Sequence, residues 1–230
     1  GRVWYKIFSL GISSGITSLV ACIMQVVMNN SLVYYGNQTE ITGDVALSAM
    51  GIVMKIAMIL ASVCIGFGIG AQPILGFNLG AKKYARVRQT YLLAVSIATG
   101  SILIGWAVCQ LAPHLVLSLF GKENQTFTDF AVRCLRIYLG GIFCAGFQIV
   151  STNYFQATGQ PLKASLLSML RQLILLIPLL LILPLFFGLN GLLYAGPCAD
   201  IGSAVIVALF ILPEMRKLNR RIAESQGPAL

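Results

Sequence analysis

Asp200 is an acid set in an apolar run, and Lys55, Arg133, Arg136 and Arg171 are bases in similar surroundings. A charge at the centre of a hydrocarbon layer costs roughly 3 kcal/mol or more, so such groups pair, reach for an interface or carry function. Asp200 is the only acid far from a polar edge. Two readings stay open for it: a proton or cation site, or a fixed counter-ion for Arg171 or Lys55. Lys55 and Arg133 lie near enough to segment ends to snorkel outward. Arg136 can face an internal cavity, and Arg171 either pairs or reaches the opposite interface.

Neutral groups offer a second chemistry. Met24, Gln25, Met28 and Asn29 fall within one apolar stretch. Gln25 and Asn29 are four apart and share a helix face, and methionine adapts to apolar ligands of varied shape. They form either a ligand-facing stripe or a seam between helices. Gln148, Ser151, Thr152, Asn153 and Tyr154 pose the same choice further on. Hydrolytic chemistry has no foothold. His114 is the lone histidine, and no His-Glu-x-x-His, acid pair or Gly-x-Ser-x-Gly run occurs. The six cysteines sit in apolar stretches without a Cys-x-x-Cys pair, so they read as small buried apolar residues, with no metal site or cofactor implied.

The elements that hold these groups must be membrane helices. Of 230 residues, 57% are hydrophobic and 10% charged, with a mean hydropathy of +0.85. A water-soluble domain carries about a quarter charged residues. The apolar blocks exceed the roughly 20 residues that cross a bilayer and lack the alternation of a barrel strand. Six spans follow, at about 7–35, 46–77, 89–111, 127–155, 163–187 and 190–212. They predict an all-α membrane protein, a single six-helix bundle over 1–213 and a basic cytoplasmic tail over 214–230. Pro113 to Phe120 reads as an interfacial stretch.

Charge sets the orientation. Arg2, Lys6, Lys82, Lys83, Arg86, Arg88, Lys163, Arg216, Lys217, Arg220 and Arg221 fall on one side, against Lys122 alone among the opposite loops. Basic loops stay cytoplasmic, which places both ends of this segment inside and Glu40, Asp44, Glu123 and Asp129 outside. The net charge of +9 therefore belongs to the membrane edge, and no basic stripe with interleaved aromatics points to nucleic acid. Asn37 to Thr39 and Asn124 to Thr126 are Asn-x-Thr triplets in the outer loops, a pattern common by chance. The chain opens on Gly1 with no signal peptide before the first apolar block, as expected of a piece of a longer protein. A six-helix unit with both ends inside suits a parallel repeat.

Three motifs are specific. Ala71-Gln72-Pro73-Ile74-Leu75-Gly76-Phe77-Asn78-Leu79-Gly80-Ala81-Lys82-Lys83 leads into Tyr84, Arg86 and Arg88. Gly80 is the expected left-handed residue that ends this helix. Phe155-Gln156-Ala157-Thr158-Gly159-Gln160-Pro161 precedes Ser168, Arg171 and Gln172. Gly188-Leu189-Asn190-Gly191 precedes Ala195-Gly196-Pro197-Cys198-Ala199-Asp200. In order and spacing these resemble the carboxy-terminal half of multidrug and toxic compound extrusion (MATE) transporters, over essentially the whole chain.

The resemblance implies the second of two six-helix lobes around a central cavity, at the plasma (inner) membrane. It implies export of amphipathic, often cationic compounds in exchange for protons or sodium. The polar and methionine residues singled out above, Met24, Gln25, Met28, Asn29, Arg136, Gln148, Asn153 and Asp200, are the candidates to line that cavity. The implied partners are small organic substrates, the lipid bilayer and an amino-terminal six-helix half. Sodium-coupled relatives carry acids in the first and fourth helices of this half, where this chain has Gln25 and, approximately, Ala145. Neither binds a cation by charge, so the proton or sodium site is expected in the amino-terminal half. A flippase for lipid-linked sugars or polysaccharides, in the same superfamily, is the alternative. Such proteins line the cavity with more bases and lack the Gln-Pro…Asn-x-Gly-Ala run.

Overall fold

The computed structural model describes residues 2–121 and 124–225, with side chains from residue 18 onward. The side chains of Arg2 and Lys6, and the whole of Lys122 and Glu123, lie outside the described residues. The elements are α1 (Arg2–Gly36), α2 (Gly43–Gly80), α3 (Tyr84–Leu111), α4 (Pro113–Ser118), α5 (Gln125–Tyr138), α6 (Ala145–Ala157), α7 (Pro161–Met169), α8 (Ile177–Phe187) and α9 (Leu189–Ser225). A 3₁₀ segment, Leu139–Cys144, joins α5 to α6, and a π-helical segment, Leu170–Leu176, joins α7 to α8. Among the described residues, six helical stretches are therefore long and apolar enough to cross a membrane. The chain is a multi-pass, all-α membrane protein.

Helix edges follow local chemistry. At the α1–α2 turn, Asn37 Oδ1 accepts the Gly43 N–H at 2.8 Å and Thr39 Oγ1 donates to the Gly36 carbonyl at 2.9 Å. The first Asn-x-Thr triplet is thus engaged in turn closure. Pro73, Pro197 and Pro213 lie inside helices that continue through them, as neighbouring helices permit.

Gly80 does not terminate α2 in the left-handed conformation expected of it. That position is Lys82, at φ +57°. The Lys83 N–H reaches the Asn78 carbonyl at 2.8 Å and the Lys82 N–H reaches Leu79 at 3.0 Å. This is the two-bond closure of a Schellman turn. α6 ends in the same way, with Gly159 at φ +76° and Gln160 N–H bonded to the Phe155 carbonyl.

α2 packs against α1, α3, α5 and α6, while α9 packs against α3, α5, α6 and α8 and both irregular segments. α1 contacts α7, α8 and α9, closing the bundle. Met28, Leu32, Met50, Leu75, Ile102, Leu135, Phe155 and Leu192 are fully buried, whereas Met58, Ile104, Leu185 and Phe186 are 70% or more exposed. Water could not face that outer belt; lipid or a second lobe can. Cys64, Cys109 and Cys134 are buried as expected, but Cys22 and Cys198 are exposed on that belt, so burial inside this bundle is not what places them. α9 runs to Ser225, roughly 55 Å of helix. It passes through the region expected as a tail because Leu218 is buried and Ile222 packs against the core.

Candidate functional site

Arg171 and Asp200 meet inside the bundle. Arg171 Nε and Nη2 lie 2.7 and 2.6 Å from Asp200 Oδ1. Arg171 is roughly 15 Å along its span from Pro161 and Asp200 roughly 17 Å along α9 from Leu189, so the pair lies well inside both apolar spans. The Asp200 side chain is 5% exposed and that of Arg171 is 38% exposed.

Backbone irregularity surrounds the pair. Arg171 leaves the π-helical segment, where the wider turn changes the direction of its side chain. Asp200 follows Pro197, which has no N–H to donate to the turn before it. Gly141, in the 3₁₀ segment, packs so closely that a Cβ there would stand 2.7 Å from Pro197 Cα and 2.9 Å from Asp200 Cβ. A Cβ on Gly196 would stand 2.7 Å from the Tyr138 ring. Three spans thus depart from the regular α-helix, or carry proline, at the level of one ion pair.

Gln148 holds the other side of Asp200. Its Nε2 donates to the Asp200 carbonyl at 2.6 Å and to Ser203 Oγ, and Ser203 Oγ donates to the Asp200 carbonyl at 3.1 Å. Gln148 is 7% exposed, and its bonds tie α6 to α9. Buried Gln172 Oε1, in the π-helical segment, has no hydrogen-bond partner among the described residues.

The remaining candidates are dispersed. Met24 and Met28 are buried in the core and present no free thioether stripe. Gln25 is exposed on the flank of α1, and its Nε2 donates to Asn29 Oδ1 at 3.0 Å. Arg136 is exposed, and its carbonyl accepts from Gln110 Nε2 at 2.9 Å. Asn153 belongs to a separate amide cluster, receiving Gln72 Nε2 at 2.6 Å and donating to the Ile149 carbonyl at 2.8 Å. Lys55 and Arg133 are exposed. The buried Tyr91 hydroxyl, 2.9 Å from Ser151 Oγ, was not marked by sequence reasoning; a lone tyrosine in an apolar run gives no signal of its partner. Among the described residues no group of three His, Cys, Asp or Glu converges on a metal position.

Comparison with known proteins bears on the whole assembly. The family model described as MatE matches residues 17–182. Multidrug export protein MepA of Staphylococcus aureus (strain N315) is 26% identical over 210 residues, 90% of this chain and 44% of that protein. MepA of Staphylococcus haemolyticus (strain JCSC1435) is 26% identical over 215 residues, 92% of this chain and 44% of that protein. The fold superposes on a multidrug resistance MATE family transporter of the MOP superfamily in its inward-facing conformation, with a TM-score of 0.83 at 18% identity. That match covers 95% of this chain and 49% of the other. An outward-facing conformation gives 0.81 at 19% identity, over 91% and 46%. The chain spans about half the length of the relatives it matches.

Proposed function

The chain belongs to the MatE family, and on that premise we propose that it is the carboxy-terminal lobe of a secondary antiporter. The cargo is amphipathic, often cationic organic compounds, exported in exchange for protons or sodium. An amino-terminal six-helix lobe completes the cavity. The observation that carries this reading is that one six-helix fold matches inward-facing and outward-facing transporters about equally well. A lobe that keeps its shape in both states suits alternating access by rocking of rigid halves around a shared site.

The interior of the bundle supports rigidity. Arg171–Asp200 and Gln148–Asp200 link three spans inside the bundle. Asp200 has its charge matched by Arg171, so it is a poor free carboxylate for a coupling ion. Gln25 is neutral. Coupling therefore belongs to the other lobe, and the exposed Gln25 and its half-buried partner Asn29 contribute shape and hydrogen bonds to the cargo. The basic end of the bundle faces the cytoplasm in a plasma membrane.

The test uses the complete transporter in sealed proteoliposomes loaded with a fluorescent lipophilic cation. Imposing a proton or sodium gradient should drive the dye against its own gradient. Dye movement that ignores both gradients would overturn the antiport reading. A cysteine placed at Ala85 should label only from the cytoplasmic side in intact cells; labelling from outside reverses the topology.

A further inference from the structure

α9 beyond Pro213 is amphipathic and docked. Leu218 is buried and Ile222 packs inward, while Arg216, Lys217, Arg220 and Arg221 are exposed on the opposite face. The α2–α3 turn exposes Lys82 and Lys83, and the start of α3 exposes Arg86 and Arg88, at the same end of the bundle. Arg221 joins the two, its guanidinium 5.5 Å from the centroid of the Tyr84 ring. Two acids lie at this end, and each is already engaged. Glu214 binds Lys163 at 3.1 Å and Lys217 at 3.5 Å, and Glu224 binds Arg220 at 3.4 Å. A surplus of positive charge remains on one contiguous surface.

Two further features narrow the partner. Lys82 occupies a left-handed position where α6, in the equivalent turn, uses Gly159. A lysine is strained there, which is understandable if its side chain is what the turn presents. Exposed apolar residues also stand close to the bases along both helices. Leu212 is 53% exposed and shares a helix stripe with Arg216 and Arg220, and Phe77, five residues before Lys82 in the last turn of α2, is 74% exposed. A free phosphate or an acidic peptide has no use for that apolar border.

We propose that the α2–α3 turn and the end of α9 together form a docking surface for anionic phospholipid headgroups. Acyl chains run down past Phe77 and Leu212, and the phosphate is shared between the two basic arms. The two arms come from helices distant in sequence, so an occupied surface staples α9 to α3.

The complete transporter is compared in nanodiscs of phosphatidylcholine alone and of phosphatidylcholine with phosphatidylglycerol. Phosphatidylglycerol should raise the thermal midpoint and remain bound in native mass spectra, and high salt should reverse both effects. Each of Lys83→Gln, Arg216→Gln and Arg221→Gln should weaken retention about fivefold. Tyr84→Leu keeps every charge yet should also weaken it, and Tyr84→Phe should not. Arg133→Gln, at the other end of the bundle, should leave retention unchanged and controls for general loss of fold. No gain from phosphatidylglycerol, or equal loss from Arg133→Gln, overturns the proposal. So does an equal gain from free glycerol phosphate or from an acidic peptide added to phosphatidylcholine discs.

Discussion

Gln72 on α2 donates its amide to Asn153 on α6 across 2.6 Å, and the same Nε2 reaches Gln156 Oε1 at 3.0 Å. The Gln-Pro motif and the turn motif after α6, far apart in sequence, are thus bonded partners. Gly68, one turn before Gln72, leaves the space in which the Asn153 amide sits. Gln72→Leu should cost about 1 kcal/mol. Gly68→Ala should displace Asn153 and cost a similar amount. Because both break one contact, the double variant should lose little more than either single variant. Thermal unfolding in detergent reads all three; full additivity would show that the cluster is not one unit.

The ion pair inside the bundle predicts an asymmetry. Arg171→Leu leaves Asp200 buried without its partner and should cost about 3 kcal/mol, the low end of the usual range because Arg171 is more than a third exposed. Asp200→Leu strands the arginine less severely, since the guanidinium can swing to its exposed side. The double variant Arg171→Leu/Asp200→Leu should recover most of the loss, because apolar pairs substitute well for buried ion pairs. Midpoints of thermal unfolding in one detergent suffice. A double variant as unstable as the sum of the singles would show that the charges do more than neutralise each other.

Close packing at the 3₁₀ segment gives a steric prediction. Gly141→Ala drives a methyl into Pro197 Cα and Asp200 Cβ, both firmly placed, and should cost about 1–3 kcal/mol. Gly51 has nothing within 4 Å of the same methyl, so Gly51→Ala should stay within about 0.5 kcal/mol. Equal midpoints for the two variants would mean that the α9 contact at Gly141 is looser than it stands here.

The six spans were legible because a helix in lipid needs a long apolar run; the helices begin up to five residues before the expected edges, and the last ends well beyond its own. α9 ran on to Ser225 because Leu218 and Ile222 recur at helical spacing among bases, a period that hydropathy averaging hides. Leu139-Gly140-Gly141 carried a trace of the 3₁₀ break, since paired glycines weaken an α-helix. Nothing in Leu170–Leu176 announced a π turn, and the partner of its Arg171, Asp200, lies in another span. For the same reason the polar candidates could be named but not sorted. Gln148 and Gln25 look alike in sequence, and only packing separates the amide that ties two helices from the one left exposed.

Gln25 then carries the functional prediction. Its side chain is exposed, bonded to Asn29 at 3.0 Å, and flanks Met24 and Met28, which face the core. An amide holds no charge at any working pH, so it can shape a cavity but cannot bind a coupling ion through charge. In the complete transporter, Gln25→Ala should leave the proton or sodium dependence of efflux intact while shifting relative rates among substrates, by about threefold to tenfold for one hydrogen bond. Efflux of several lipophilic cations, each measured under matched proton and sodium gradients, separates the two effects. If gradient dependence disappears while the protein remains folded, the ion pathway runs through this lobe and the division of labour proposed for the two halves is wrong.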